Sequence, residues 1–125
     1  MKIPVSELEG IALDWATCKA TGIFTSYPHM ERRFCKSWQA SCPTYFVHPS
    51  SDWSHGGPII EREGINCNIQ LDEPGFKHSP ERRWYAQVDR RSFTAYGPTP
   101  LVAAMRCYVA SKLGESVDVP DERRN

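Results

Sequence analysis

The sequence lacks any apolar run approaching the roughly 20 residues that a membrane-spanning helix needs. It also lacks a net charge, because 15 Lys and Arg residues balance 15 Asp and Glu residues. A balanced chain has no overall electrostatic attraction to nucleic acid or to anionic lipid. The first ten residues, MKIPVSELEG, lack the apolar core of a signal peptide, because Glu7 and Glu9 interrupt it. We therefore expect a protein of the cytoplasm that has no membrane partner and for which nucleic acid is a disfavoured ligand.

Motifs that identify common catalytic, phosphate-binding or metal sites are also missing. There is no G-x-S-x-G sequence around a nucleophilic serine and no G-K-[ST] sequence of a P-loop. Four candidate zinc ligands follow the spacing C-x6-C-x5-H-x6-H: Cys35, Cys42, His48 and His55. This spacing differs from the short knuckles of structural zinc sites. We predict reduced cysteines, no metal and no cofactor, although the sequence leaves metal binding by these four residues open.

Two helices are predicted, one near each end of the chain. A capping box from Ser6 to Glu9 accompanies apolar residues at helical spacing, which predicts a helix over about residues 8–20. Towards the other end, Thr99 is a favourable N-cap and Pro100 suits the first helical position, so the last helix begins there. Its buried stripe is predicted to consist of Leu101, Ala104, Met105, Tyr108 and Val109.

Short strands are predicted between the two helices. In INCNIQL, residues 65–71, apolar and amide side chains alternate, which indicates one buried face and one polar, uncharged face. TYFVH predicts a further short strand, and WYAQVD followed by SFTAY predicts a hairpin. We therefore predict an α+β fold: a small antiparallel sheet of three to four strands, with the N-terminal and C-terminal helices packed on one face.

The expected domain organisation is simple. A chain of 125 residues is the usual size of a single domain. We predict one α+β domain over residues 1–119 and a polar C-terminal tail over residues 120–125. Residues 23–44 show no regular period, so the sequence leaves their order and their role open.

The most distinctive stretch is WSHGGPIIERE, residues 53–63. Gly56 and Gly57 before Pro58 predict a turn that leads into one helical turn over 58–63. Two interpretations remain open. The glycines could serve only to bring the following isoleucines to the core, or the backbone N–H groups could bind an anion. Trp53 stands where no period demands burial, so its indole could stack on a ligand.

These features predict a non-catalytic binding module for a nucleotide-like small molecule or a host protein. The candidate ligand-binding residues are Asp52, Trp53, His55, Gly56, Gly57, Pro58, Glu61, Tyr96 and Thr99. Because small proteins often build such sites across a symmetric interface, we expect a homodimer or a higher homo-oligomer. The alternative is a small enzyme in which Asp52, His55 and Glu61 supply acid/base groups. The ligand, and whether any catalysis occurs, are not fixed by the sequence.

Three segments of the chain resemble the NinX family: LDWATCKATG, SSDWSHGGPIIEREGI and AYGPTPLVAAMRCYVASKLGESVDVP. The resemblance extends over nearly the whole chain except parts of 23–44 and 72–83. That family consists of small proteins encoded by lambdoid bacteriophages and prophages in the nin region. The resemblance implies a phage accessory protein that acts in the bacterial cytoplasm, for which a role against host defence is one option. It brings no catalytic residue, because no activity is established for the family.

Overall fold

The computed structural model describes residues 2–26, 48–72, 74–75, 77–88 and 93–119. In chain order its elements are β1 (Lys2–Pro4), α1 (Gly10–Thr21), α2 (Ile23–Ser26), α3 (Trp53–Glu63), β2 (Asn66–Ile69), β3 (Trp84–Val88), β4 (Phe93–Gly97), α4 (Pro100–Leu113) and β5 (Ser116–Asp118). This mixture of helices and antiparallel strands confirms the α+β class. Within these residues, no helix combines the length and the apolar character that crossing a bilayer requires.

Among the helices of the described residues, α4 is the most deeply buried. The Thr99 side chain accepts a hydrogen bond from the backbone N–H of Val102 at 3.1 Å, and Pro100 occupies the first turn, so the predicted start is confirmed. All residues from 103 to 109 are buried, which means that the helix is enclosed on every side rather than along one stripe. It packs against β2, β3 and β4 and also against α1.

The strands form two separate antiparallel sheets. The larger sheet has the order β2-β3-β4, in which Cys67 lies opposite Ala86 and Tyr85 lies opposite Tyr96. It contains the predicted hairpin, whose connection lies outside the described residues, as does nearly all of TYFVH. A two-stranded sheet of β1 and β5 was not predicted. The placement of both terminal helices on one face of a sheet stays a prediction.

Helix α1 begins later than predicted. Ser6 lies in a 3-10 turn over Val5–Glu7, and Glu9 is the N-cap without a side-chain hydrogen bond, so the predicted capping box does not form. The physical reason is the burial of Leu8, which is 1% exposed and has extended backbone that cannot belong to a helix. At the other end, Gly22 ends the helix in the left-handed region with φ 79°, as its position in the sequence indicates.

Strand β2 is buried over only part of its predicted apolar face. Ile65 is 7% exposed, whereas Ile69 and Leu71 are 41% and 73% exposed. The Cys67 thiol donates a weak hydrogen bond to the carbonyl oxygen of Pro100 at 3.9 Å, so the first turn of α4 covers the middle of the strand. The prediction of one continuous buried face was therefore wrong for Ile69 and Leu71.

A candidate ligand cleft at three helix N-termini

The stretch WSHGGPIIERE forms one continuous helix, α3, so the prediction of a single helical turn over 58–63 was wrong. The helix starts early because Asp52 caps it. The Asp52 carboxylate accepts hydrogen bonds from the backbone N–H and the hydroxyl of Ser54 at 2.9 and 2.6 Å. Pro58 consequently lies inside the helix, where it removes one backbone hydrogen bond instead of opening the first turn.

Close packing around α3 requires a glycine at position 56, the first residue of its glycine pair. The N–H of Gly56 donates to the carbonyl oxygen of Asp52 at 2.9 Å, so it is already used inside the protein. A Cβ atom on Gly56 would overlap the carbonyl oxygen of Pro49 and would lie 2.7 Å from the Leu101 side chain. Gly56 therefore lets α3 approach both Pro49 and the start of α4. This favours the packing interpretation for Gly56, and a ligand contact at Gly57 or Pro58 stays a prediction.

The three candidate acid/base residues do not all lie within reach of one another. The Nδ1 atom of His55 lies 3.8 Å from the Asp52 carboxylate and accepts a hydrogen bond from the His48 N–H at 2.9 Å. Glu61 lies six residues beyond His55 on the same helix, which corresponds to about 9 Å along the axis and about 120° around it. The structure brings Asp52 and His55 together, whereas Glu61 points to a different side of α3.

The carboxyl of Asp52 gives a prediction on pH dependence. Its two hydrogen bonds from Ser54 hold its pKa below the usual value, because they favour the charged form. Such a carboxyl contributes stability above its unfolded pKa, and the contribution is lost as the pH falls through its folded pKa. Urea unfolding between pH 7 and pH 3 is therefore expected to show that wild type loses more stability below about pH 4 than Asp52→Asn does. Parallel curves for the two proteins would contradict this role of Asp52.

A cleft of about 490 Å³, here called the N-terminal cleft, lies where α1, α3 and α4 begin. Its lining residues are Glu9, Gly10, Asp14, Ser50, Ser51, Trp53, Pro98, Thr99, Pro100, Leu101, Val102 and Arg106. The first turn of a helix carries N–H groups without helical partners and a partial positive charge. Three helix starts in one cleft therefore favour an anionic group. Trp53 lines the cleft and is nevertheless 56% exposed.

Charged side chains line the same cleft. Asp14 is buried, and its carboxylate accepts a hydrogen bond from the Ser50 N–H at 2.8 Å, which joins α1 to the segment before α3. Arg106 is 6% exposed and donates to the carbonyl oxygens of Leu8 at 2.8 Å and Tyr96 at 2.7 Å. Burial lowers the pKa of Arg106, although Glu9 acts in the opposite direction. An arginine nevertheless stays charged in a protein.

Tyr96 lies in a different cleft from Trp53. This second cleft, of about 570 Å³, is lined by Pro4, Val5, Ser6, Glu81, Arg82, Thr94, Ala95, Tyr96, Arg106, Ala110, Glu115 and Ser116. In it, the Arg82 guanidinium lies 4.1 Å from the centre of the Tyr96 ring. Of the residues predicted from the sequence, Trp53 and Thr99 line the N-terminal cleft, whereas Tyr96 does not. Arg106 lines both clefts.

Sequence reasoning missed Arg106, although one signal could have identified it. Arg106 is the only charged residue between positions 100 and 111, in the middle of a predicted buried helix. A charge in an otherwise apolar helix needs buried polar partners. The sequence could show this need but could not show that the backbone oxygens of Leu8 and Tyr96 supply it.

The cysteines of the described residues are reduced, and two of them, Cys18 and Cys107, are buried. Cys18, Cys67 and Cys107 are free, and burial raises the pKa of Cys18 and Cys107 to about 12. These two thiols are therefore poor nucleophiles at neutral pH. No group of three or more candidate metal ligands occurs in the part of the chain that the structure describes. Cys35 and Cys42, two of the four candidate zinc ligands, lie outside the described residues.

Comparison with known protein families gives a match to the family described as Bacteriophage P22, NinX, over residues 4–112. Comparison with curated proteins gives no match. The three segments that carry the resemblance each contribute to the N-terminal cleft. Asp14 comes from the first segment, Ser50, Ser51 and Trp53 come from the second, and the turn at residues 98–100 comes from the third. Segments that are far apart in the sequence thus meet at this cleft.

Proposed function

Since the chain belongs to the NinX family of bacteriophage P22, we propose that it is a phage accessory protein that binds a nucleotide-like small molecule in the N-terminal cleft. The observation that carries this proposal is that the first turns of α1, α3 and α4 line one cleft, which also contains the exposed side chain of Trp53. The helix starts favour the anionic part of such a ligand, and an indole ring favours the flat base. Sequestration of a signalling nucleotide would give the protein a role against host defence.

The proposed binding mode uses groups that the fold leaves available. In helix α4, Thr99 already accepts from the Val102 N–H and, through its carbonyl oxygen, from the Ala103 N–H. Pro100 has no N–H, so Leu101 offers the first-turn donor of this helix to a ligand. The hydroxyl of Ser51, which lies on the exposed side of the cleft, adds a polar contact. No catalytic step is proposed, since Glu61 lies on another side of α3 from His55.

The replacement Trp53→Ala tests the stacking surface. We expect AMP binding to weaken by about 1–3 kcal/mol, which is the usual contribution of stacking between a base and an aromatic ring. We expect little loss of folding stability, because the Trp53 side chain is 56% exposed. Isothermal titration calorimetry measures the affinity, and urea unfolding measures the stability.

Leu71→Ala is the matched control. Leu71 is also a large exposed apolar residue, at 73%, but it does not line the N-terminal cleft. Its replacement is expected to leave the AMP affinity at the wild-type value. Equal weakening in both variants would contradict a specific role of Trp53. A wild-type protein that shows no thermal shift with any mononucleotide or cyclic dinucleotide would contradict the small-molecule proposal itself.

A second candidate function, binding of another protein chain, is favoured by Ile69 and Leu71. Ile69 is the last residue of β2 and Leu71 lies just beyond it, and both side chains are exposed. Among the described residues β2 pairs only with β3, so its other edge has no partner strand there. Residues 65–71 carry no charge, so two copies of this strand could pair without repulsion. We propose a homodimer formed through β2. Light scattering after size exclusion should show a dimer that Ile69→Lys converts to a monomer, and a monomeric wild type would contradict this proposal.

A further inference from the structure

The guanidinium of Arg106 is buried with an incomplete set of partners. Arg106 is 6% exposed, and two of its N–H groups donate to Leu8 and Tyr96. A guanidinium has five N–H donors. Among the described residues, the Nη2 atom makes no hydrogen bond and Arg106 forms no ion pair. Glu9 and Glu81 act on the charge of Arg106 without forming an ion pair with it. The N–H groups of Nη2 thus remain without a protein acceptor in the described part of the chain, and such donors are suited to receive an anion from outside the chain.

The position of Arg106 in α4 decides which of its two clefts would receive the anion. Arg106 lines the N-terminal cleft together with three helix starts, whose partial positive charges favour an anion. Two acidic residues line each cleft, so the acidic residues do not distinguish the clefts. In the second cleft, however, the additional arginine, Arg82, is already stacked on Tyr96. The second cleft also reaches Ala110 in the C-terminal half of α4, where the helix dipole has the opposite sign. The N-terminal cleft is therefore the better site for an anion.

The carboxylates of the N-terminal cleft limit the charge of its ligand. Glu9 and Asp14 both line the cleft, and Asp14 is buried. A nucleoside diphosphate or triphosphate would place about three or four negative charges near these two carboxylates. A single phosphate group can bind the planar fork of a guanidinium by two parallel hydrogen bonds and keeps this repulsion small.

We propose that Arg106 binds the phosphate group of a nucleoside monophosphate in the N-terminal cleft. This inference rests on the proposed function, because it specifies which part of the nucleotide-like ligand binds at the inner end of the cleft. The base then lies towards Trp53, which is the exposed aromatic residue of the cleft. Arg106 would thus be both a structural residue and a ligand-binding residue.

Calorimetric titration with AMP, adenosine, ATP and inorganic phosphate tests this inference. We expect wild type to bind AMP at least about tenfold more tightly than adenosine. One hydrogen bond to a charged group is enough to raise the affinity by about that factor. We also expect AMP to bind more tightly than ATP, and inorganic phosphate to displace AMP. Arg106→Lys keeps the charge but loses the fork, so the preference for AMP over adenosine should fall to a few-fold. Retention of the full preference in Arg106→Lys would overturn the assignment.

A second measurement does not depend on a folded variant. The Nε–Hε resonance of Arg106 in the ¹⁵N spectrum of wild type is expected to shift in a saturable way with inorganic phosphate. An unchanged resonance, or equal affinities for AMP and adenosine, would overturn the inference and leave the proposed function standing. Tighter binding of ATP than of AMP would overturn the single-phosphate class. Absence of binding by all four compounds would overturn the inference, and the proposed function would fall with it if the other mononucleotides and the cyclic dinucleotides also give no thermal shift.

Discussion

Arg106→Met is expected to lower the free energy of unfolding by about 3 kcal/mol, because hydrogen bonds to charged groups contribute about 1.5–3 kcal/mol each. Arg106 ties the chain before α1 and the end of β4 to the centre of α4 through the carbonyl oxygens of Leu8 and Tyr96. Methionine fills similar space but leaves both oxygens without this donor. Removal of a buried charge offsets part of the loss. Urea unfolding at neutral pH measures the difference from wild type.

Lys112→Met is the matched control for Arg106→Met. Lys112 lies on the same helix and pairs with Glu63 at 3.4 Å, but its side chain is 46% exposed. Exposed ion pairs usually contribute less than about 1 kcal/mol, so this variant should remain close to wild type. A loss for Arg106→Met as small as that of the control would contradict the structural role of the Arg106 hydrogen bonds.

Gly56→Ala is expected to destabilise the protein by about 2 kcal/mol, a typical cost of forcing an extra methyl group into a closely packed site. The new Cβ would overlap the Pro49 carbonyl oxygen and would lie 2.7 Å from the Leu101 side chain. The Pro49 oxygen belongs to the backbone, so the clash is relieved only if α3 and the Pro49 segment move apart. The midpoint of thermal unfolding and the urea midpoint should both fall.

The neighbouring glycine supplies the control for this prediction. Gly57 lies in the same helix, and the nearest atom to a Cβ added there is on the Trp53 ring at 4.0 Å. Alanine is the better helix former by about 1 kcal/mol, so Gly57→Ala should be neutral or stabilising. If Gly56→Ala were as well tolerated as Gly57→Ala, the close approach of α3 to Pro49 would be contradicted.

Local signals were sufficient to predict α4 and the hairpin. Thr99 and Pro100 determine a helix start by contacts within one turn, and alternating residues in β3 and β4 reflect contacts between neighbouring strands. The β1–β5 pair could not be predicted in this way, because three-residue strands are too short to show a period. The start of α3 was misplaced because Gly-Gly-Pro resembles a helix start more than it resembles a helix interior.

The candidate site was only partly predictable for a different reason. The sequence pointed to Trp53 because this residue does not fit any apolar periodicity that would predict its burial. It pointed to Thr99 because this residue is the N-cap of a helix. Tyr96 was expected beside Trp53, but it lines the second cleft with Arg82. Arg106 was missed because an apolar stripe gives one buried face of a helix, whereas α4 is enclosed on all sides. Which segments surround a helix depends on tertiary packing, which periodicity does not contain.

We propose that the N-terminal cleft binds an anionic, base-containing ligand. Amide and indole chemical shifts of ¹⁵N-labelled wild type, followed during titration with AMP, test it most directly. We predict saturable shifts that are largest for the Gly10 and Leu101 amides and for the Trp53 indole N–H, at the three helix starts. The absence of saturable shifts, or shifts concentrated at Thr94, Tyr96 and Ser116 in the second cleft, would contradict the claim.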